Sequence, residues 1–280
     1  MKVVVIGGSG YIGRNIAKYI QADSVAYYSR SENAELKSAG IQWIEGSITE
    51  ADKLNTALNG ADMIVVSVRT EKEDGSDLFD TFVNGIKNVV GIVKKNDTDQ
   101  RLVFISSINV HYGASEFFRI RGLVEDNVSL VKNHLNVRPS IVFGNGDVFT
   151  ENLFKLASTG ISRLPSGGSL APIHVKDLVT VIQSAKDTKG AIDANSNEKI
   201  SFADAVNLAF EKLGKRKRSI AEGKFWLKRS IASIENTNIF EKEEVHRLLL
   251  NYYREDTYLY RFVKNPISFS DYIKNYEIKA

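Results

Sequence analysis

The chain has 280 residues, 43% hydrophobic and 25% charged, the composition of an ordinary globular protein rather than a disordered or fibrous one. Its 37 Lys and Arg against 34 Asp and Glu leave a formal charge of +3, too balanced to mark a nucleic-acid binder, and none is expected as a partner. The absence of cysteine excludes a disulfide scaffold, a thiolate zinc site, an iron–sulfur cluster and a cysteine nucleophile. Four histidines without HxH or HExxH spacing give no reason to expect a metal. No apolar run approaches the roughly 18–20 residues that cross a bilayer. Met1-Lys2 leads straight into a strand-like VVVI rather than into a signal peptide, so a cytoplasmic protein is expected.

Taken in chain order, short apolar runs alternate with amphipathic stretches. Strands are predicted at Val3–Ile6, Ser24–Tyr28, Gln42–Ile44, Met63–Ser67, Leu102–Ser106 and Leu135–Val137. Helices are predicted near 11–21, 32–39, 50–58, 77–95 and 115–133. The strands read as continuous Val/Ile rather than alternating, as befits a parallel sheet buried on both faces. After Pro139 the pattern changes. A helix near 149–159 and a Gly/Pro loop precede a strand at Ile173–Val175, a helix from Lys176, and a strand at Ala191–Ala194. From about 201 the chain reads as mostly helical: Phe202–Leu213, a piece near 223–234, and Glu241–Tyr252. The expected build is a doubly wound α/β domain of Rossmann type over 1–145, with 173–195 returning to it. A smaller, mostly helical lobe is expected from 146–172 and 196–280.

Residues Gly7, Gly8, Ser9, Gly10, Tyr11, Ile12 and Gly13 form a GxxGxxG directly after the first strand, opening a helix. In such a loop the first glycine makes the turn, the second lets backbone approach a pyrophosphate, and the third allows close helix–strand packing. The helix N-terminus then presents N–H groups and a positive dipole to the phosphates. The expectation is a bound dinucleotide. Without GK[ST], a P-loop NTPase is excluded. After the second strand, where NAD enzymes carry an Asp or Glu for the ribose hydroxyls, this chain has Tyr28-Ser29-Arg30-Ser31. Arg30 cannot accept a hydrogen bond, but its fork suits a 2′-phosphate, with Ser29 and Ser31 as further donors and Arg14, just beyond the third glycine, as another cation for it. NADP(H) is therefore favoured over NAD(H).

These residues resemble the short-chain dehydrogenase/reductase superfamily, in its extended and atypical branches. Ser67 and Val68 stand where those proteins line the nucleotide ribose, and Gly46-Ser47-Ile48 resembles their turn near the adenine, with Ser in place of Asp. Phe104-Ile105-Ser106-Ser107 resembles the strand carrying the active-site serine. Val137-Arg138-Pro139-Ser140-Ile141-Val142-Phe143-Gly144 and Pro172–Leu178 are similar to signatures of a subgroup. That subgroup holds the NAD(P)H-binding accessory subunit of respiratory complex I and NmrA-like sensors. The resemblance covers residues 1–195 and implies cofactor contacts from Ser47, Ile48, Ser67, Val68, Ser106, Arg121 and Pro139.

The departures bear most on function. Catalytic members of the superfamily carry Tyr-x-x-x-Lys on the helix after the serine strand. The register that keeps that helix's downstream acid, Glu125, puts Phe117 and Arg121 there, and Phe82 where a family asparagine often sits. Phenylalanine has no proton to transfer, while arginine could hold a ribose but stays protonated. In another register Tyr112 supplies the phenol, though no lysine follows it four residues on. Ser106 and Ser107 could bind a substrate carbonyl or nicotinamide, or cap a turn. The resemblance therefore implies two readings. One is a cofactor-binding accessory subunit or sensor without this catalysis. The other is an NAD(P)H-dependent reductase or nucleotide-sugar epimerase/dehydratase with an altered acid/base, acting on a small-molecule substrate.

Three further features each have two readings. His174 with Asp177 could be an acid/base pair, but a structural histidine and an N-cap are favoured. The charged 69–77 stretch could be a lid, with a solvated loop the default. The 212–234 segment is basic and carries Phe225, Trp226, Ile231 and Ile234 on one helical face. It could dock a protein partner or lie on an anionic membrane surface, making the protein membrane-peripheral. The favoured alternative puts that apolar face in the core.

Overall fold

The structure is a computed structural model, and it describes residues 1–68, 80–96 and 99–278. The 69–77 stretch and the start of the predicted 77–95 helix lie outside the described residues. In chain order the N-terminal elements are β1 (Lys2–Ile6), α1 (Tyr11–Tyr19), β2 (Ser24–Ser29), α2 (Ala34–Ser38), β3 (Gln42–Glu45) and α3 (Ala51–Leu58). There follow β4 (Met63–Val66), a π-helical turn at Asp80–Asn84, α4 (Gly85–Lys95), β5 (Arg101–Ile105), α5 (Glu116–Val128) and β6 (His134–Pro139). The strands and helices expected over this stretch are present, with ends displaced by one to a few residues.

The chain divides into two compact units. The first comprises Met1–Pro139 with Leu178–Ala194. Its sheet has seven strands, ordered β3-β2-β1-β4-β5-β6 and then Gly190–Ala194, every pairing parallel. The apolar runs are the reason. Val3, Val4, Val5, Ile64, Val65, Val66, Leu102, Val103 and Phe104 are all fully buried, which requires helices over both faces. Helices α3, α4 and α5 supply Leu54, Ile86, Val89 and Val124 to one core. The Gly190–Ala194 strand extends β6 from Gly190↔Leu135 to Ala194↔Pro139. Buried Arg101 ties the returning segment down, donating to the carbonyls of Ala185 at 2.6 Å and Thr188 at 2.7 Å. Strand order reverses beside β1, which lies between β2 and β4. In such sheets ligands bind at that switch point, outside the carboxyl ends of the strands.

The second unit comprises Ser140–Asp177 and Asn195–Ala280. Its larger helices are Val148–Ser158, Phe202–Lys212, Gly223–Glu235 and Lys242–Leu248. They enclose an aromatic core of Phe143, Phe149, Phe202, Phe210, Phe240 and Phe269. Three small pairings join it: Val142–Phe143 with Ile173–His174, Ser169–Leu170 with Ile200–Ser201, and Arg163–Pro165 with Ser219–Ala221. Most of these strands, and the Phe269–Lys274 helix, have no counterpart among the predicted elements. Two or three residues are too few to establish a period of 2. The predicted Glu241–Tyr252 helix stops at Leu248.

Candidate functional site

The glycine loop sits at the switch point of the first unit. Gly7 takes φ +79°, the left-handed region, and its N–H donates to the Tyr28 carbonyl at 2.9 Å. A Cβ there would lie 2.5 Å from the Ser67 carbonyl oxygen, so the loop is pressed onto the end of β4. A Cβ on Gly8 would meet Tyr27 Cβ at 2.3 Å, and one on Gly13 would meet the Gly7 carbonyl oxygen at 2.3 Å. The fold itself demands these three glycines. Gly10 differs. Its φ is −72° and its ψ 164°, open to any residue, and an added Cβ would only touch the Gly7 carbonyl oxygen at 3.5 Å, an ordinary contact. Nothing among the described residues requires glycine at position 10.

Gly10 is also the N-cap of α1, and no side chain caps that helix. No acidic residue occupies the first turn. A helix end with an uncapped start and no carboxylate is an anion site by both hydrogen bonding and dipole. A dinucleotide fits this cradle: Gly8–Gly13 would hold its phosphates, and the bare Cα of Gly10 leaves room for their approach.

At the end of β2, Ser29 is buried and its hydroxyl donates to the Ser31 carbonyl at 2.7 Å. That spends the donor expected for a 2′-phosphate. Arg30 and Ser31 are exposed. Glu32, the next acid along the chain, pairs with Lys37 at 2.8 Å. Arg14 lies 3.7 Å from Glu35 and packs over the Tyr11 ring. Ser47 is held in its turn, its N–H donating to Glu50 at 2.6 Å and its carbonyl accepting from the Tyr28 hydroxyl at 2.9 Å. Burial and Glu50 push the Tyr28 phenol up to about 12, so it stays a donor. The Ile48 side chain belongs to the core, against Gly85, and its carbonyl accepts from Asn88 Nδ2 at 3.3 Å. Ser67 is half-buried and its N–H donates to Ile6. Val68 is half-buried against the core.

Beyond β5, Ser106 and Ser107 are buried. Ser107 donates to the Ile108 carbonyl at 3.2 Å. The Ser106 hydroxyl, on a residue 4% exposed, has no hydrogen-bond partner among the described residues. An unsatisfied buried hydroxyl costs about 1–3 kcal/mol, a cost that a hydrogen bond from a ligand at the carboxyl end of this strand would offset. Pro139 is buried and accepts from Ile108 at 3.0 Å. Tyr112, the alternative phenol, lies in the turn before α5 and is 81% exposed.

Arg121 reaches from α5 to the end of β5. Its Nη1 donates to the carbonyls of Ile105 at 2.8 Å and Ser106 at 3.3 Å. Its guanidinium lies 4.6 Å from the Phe117 ring centroid, 5.8 Å from Phe82 and 6.0 Å from Phe104. The three departures from the catalytic pattern, at 82, 117 and 121, therefore form one cluster, a cation among aromatic rings anchored on the end of β5. One turn further along α5, buried Glu125 accepts a forked pair from Arg138 on β6, with His111 Nε2 3.3 Å away. Glu125, in the sequence only a mark of register, thereby pins the helix to the sheet through Arg138.

In the second unit, His174 accepts from the Lys176 N–H at 3.2 Å and packs 5.2 Å from the Phe143 ring. Burial drives its pKa down to about 4, so it is neutral and structural. Asp177 is not the expected N-cap. It lies within the helix Val175–Ser184 and accepts from the Ile267 N–H at 2.8 Å. Among the described residues no group of His, Asp and Glu could hold a metal, and no helix is long and apolar enough to cross a membrane.

Residues 7–128 match the sequence profile of NAD(P)H-binding domains. Over those residues the chain is similar to NAD(P)H-binding domains, and its parallel seven-stranded sheet with helices on both faces is of Rossmann type. Solved structures with this fold align along nearly the whole chain. The Bordetella bronchiseptica enzyme WbmG in complex with NAD is 16% identical over 98% of this chain and 91% of its own, with a TM-score of 0.73. UDP-glucose 4-epimerase of Thermus thermophilus, complexed with NAD, is 15% identical over 98% and 97%, with a TM-score of 0.71. DesIV, a dTDP-glucose 4,6-dehydratase of Streptomyces venezuelae with NAD bound, is 15% identical over 98% and 95%, with a TM-score of 0.69. At such identities the likeness is one of fold. No curated protein matches the chain in sequence.

Proposed function

We propose that this NAD(P)-binding protein takes NADP(H) in preference to NAD(H), and acts as a cofactor sensor or accessory subunit without Tyr-x-x-x-Lys hydride chemistry. The observation that carries this reading is the Phe82–Phe117–Arg121 cluster. A nicotinamide supplies hydride, but ordinary chemistry of this fold also needs a group that gives or takes the substrate proton, typically worth 10²–10⁴-fold. Phe117 offers none. Arg121 spends donor capacity on two backbone carbonyls and stays cationic at any working pH. Binding and catalysis are thereby separable, as a sensor tolerates and a reductase does not.

The NADP(H) preference rests on Arg30, exposed at the end of β2 where the next acid, Glu32, is already paired with Lys37. An altered reductase or nucleotide-sugar epimerase/dehydratase is the second reading. It is favoured by the unpartnered Ser106 hydroxyl and by the epimerases and dehydratases that share the fold. Calorimetry with NADPH and NADH, followed by incubation of the loaded protein with aldehydes, ketones, quinones and nucleotide sugars, tests both parts. Tighter NADPH binding without turnover is expected. Turnover above about 1 s⁻¹, the low end of typical enzymes, would defeat the non-catalytic reading, and tighter NADH binding would defeat the preference.

A further inference from the structure

The segment 212–234 carries eight Lys and Arg against Glu222 alone. Four of those cations are committed within the second unit. Lys212 donates to the Lys274 carbonyl, Lys215 to Ala157 and Arg218 to Ile161, while Lys217 pairs with Glu211 at 3.0 Å. Arg216, Lys224, Lys228 and Arg229 remain, joined by Arg163 from the neighbouring strand. Among the described residues no carboxylate pairs with any of these five. Arg163 instead lies 4.3 Å over the Trp226 ring, and Arg229 lies 5.9 Å from it.

The helix Gly223–Glu235 buries only Ser230 and Ile234. The apolar face expected in the core is half outside it, since Phe225 is 67% exposed and Trp226 40%. The two rings meet edge to face at 5.2 Å, and Ile220 just ahead of them is also exposed. Exposed aromatics and unpaired cations thus share one patch.

We infer that this patch binds an anionic phospholipid surface, with Phe225 and Trp226 entering the headgroup–acyl boundary and Arg163, Arg216, Lys224, Lys228 and Arg229 facing the phosphates. A purely ionic partner would have no use for the exposed Phe225 ring. A purely apolar partner would have to bury cations that no carboxylate neutralises, at high cost. A headgroup layer over acyl chains satisfies both demands at once, because aromatic rings favour that depth and basic side chains extend from it to the phosphates. Each basic residue near an anionic leaflet multiplies binding about fivefold. Association by two rings and five charges is reversible and salt-dependent rather than permanent.

The test is co-sedimentation of the full chain with phosphatidylcholine vesicles, with and without phosphatidylserine, at low and high salt. The protein should pellet with the anionic vesicles at low salt and be released at high salt. Lys224→Gln with Lys228→Gln should weaken binding about 25-fold, two charges at about fivefold each. Phe225→Ser with Trp226→Ser should weaken binding to the anionic vesicles at low salt, with an unchanged melting temperature showing that the fold survives. Failure to pellet with anionic vesicles at low salt would overturn the inference and leave a protein partner for the patch. Equal binding to neutral vesicles, or wild-type binding by all four substitutions together, would overturn it as well.

Discussion

Gly10→Ala separates what the glycine loop does for the fold from what it does for a ligand. The backbone at Gly10 is already extended and open to alanine, and the added methyl meets one carbonyl oxygen at 3.5 Å. Stability should therefore hold or rise by about 0.4–1 kcal/mol, since alanine has fewer unfolded conformations to lose. At roughly 2–4 °C per kcal/mol for a chain of this size class, the melting temperature should stay level or rise by a few degrees. Dinucleotide affinity should fall instead, because the methyl stands where a pyrophosphate approaches. Forcing a methyl into a filled space costs about 1–3 kcal/mol, or about 5- to 150-fold in Kd. Gly13→Ala is the contrast. Its methyl would lie 2.3 Å from the Gly7 carbonyl oxygen, so stability and binding should fall together. Melting curves and calorimetry with NADPH on both variants make the comparison. Unchanged affinity in a well-folded Gly10→Ala protein would refute the assignment of the loop to phosphates.

Arg30→Ala should weaken NADPH by about 1–3 kcal/mol, the loss of a charge-assisted bond, and leave NADH nearly unchanged. Equal losses in calorimetry would remove the basis for the NADP(H) preference. Arg121→Met strips the donor from the Ile105 and Ser106 carbonyls while keeping bulk among the three rings, and should lower stability by about 1–3 kcal/mol; a neutral result by denaturation would mean that the guanidinium is not structural. His174 titrates near 4 when folded against 6.5 when free, so its contribution is complete above pH 6.5 and is lost as pH falls toward 4. Relative to His174→Asn, wild type should lose about 3 kcal/mol across that window, at about 1.4 kcal/mol per unit, as read from denaturation midpoints. Asp147 runs the other way. Burial raises its carboxyl to about 6, so its contribution is present below 3.8 and lost as pH rises through 6. Stability of wild type should consequently change less over this range than that of His174→Asn or of Asp147→Asn does.

The sheet was legible because its strands are unbroken apolar runs and its first turn carries glycines that the backbone demands. Both are local signals. Gly7 with φ +79° and Gly13 against the Gly7 carbonyl follow from the motif directly. What the sequence hid depends on which partner each side chain takes. Ser29 reads as a ligand donor until its hydroxyl is seen on Ser31, and Asp177 as a cap until it is seen on Ile267, 90 residues away. Phe82, Phe117 and Arg121 read as three separate departures and prove to be one cluster; the i, i+4 spacing joins Phe117 to Arg121 on α5, but no spacing brings Phe82 to them. The helix Gly223–Glu235 shows the same limit from the other side. Periodicity marks an apolar face but not whether anything covers it, and here Phe225 and Trp226 are left outside.

Whether the protein holds a dinucleotide where no proton donor can serve a reaction is tested most directly by a crystal structure with NADPH bound. The pyrophosphate is expected against Gly8–Gly13, the 2′-phosphate against Arg30, and Ser106 with Phe117 flanking the nicotinamide. No phenol, imidazole, carboxyl or amine should stand within reach of a substrate placed at the nicotinamide C4. Tyr112 or any other titratable group turned into that space, within about 3 Å of where a substrate oxygen would sit, would contradict this reading.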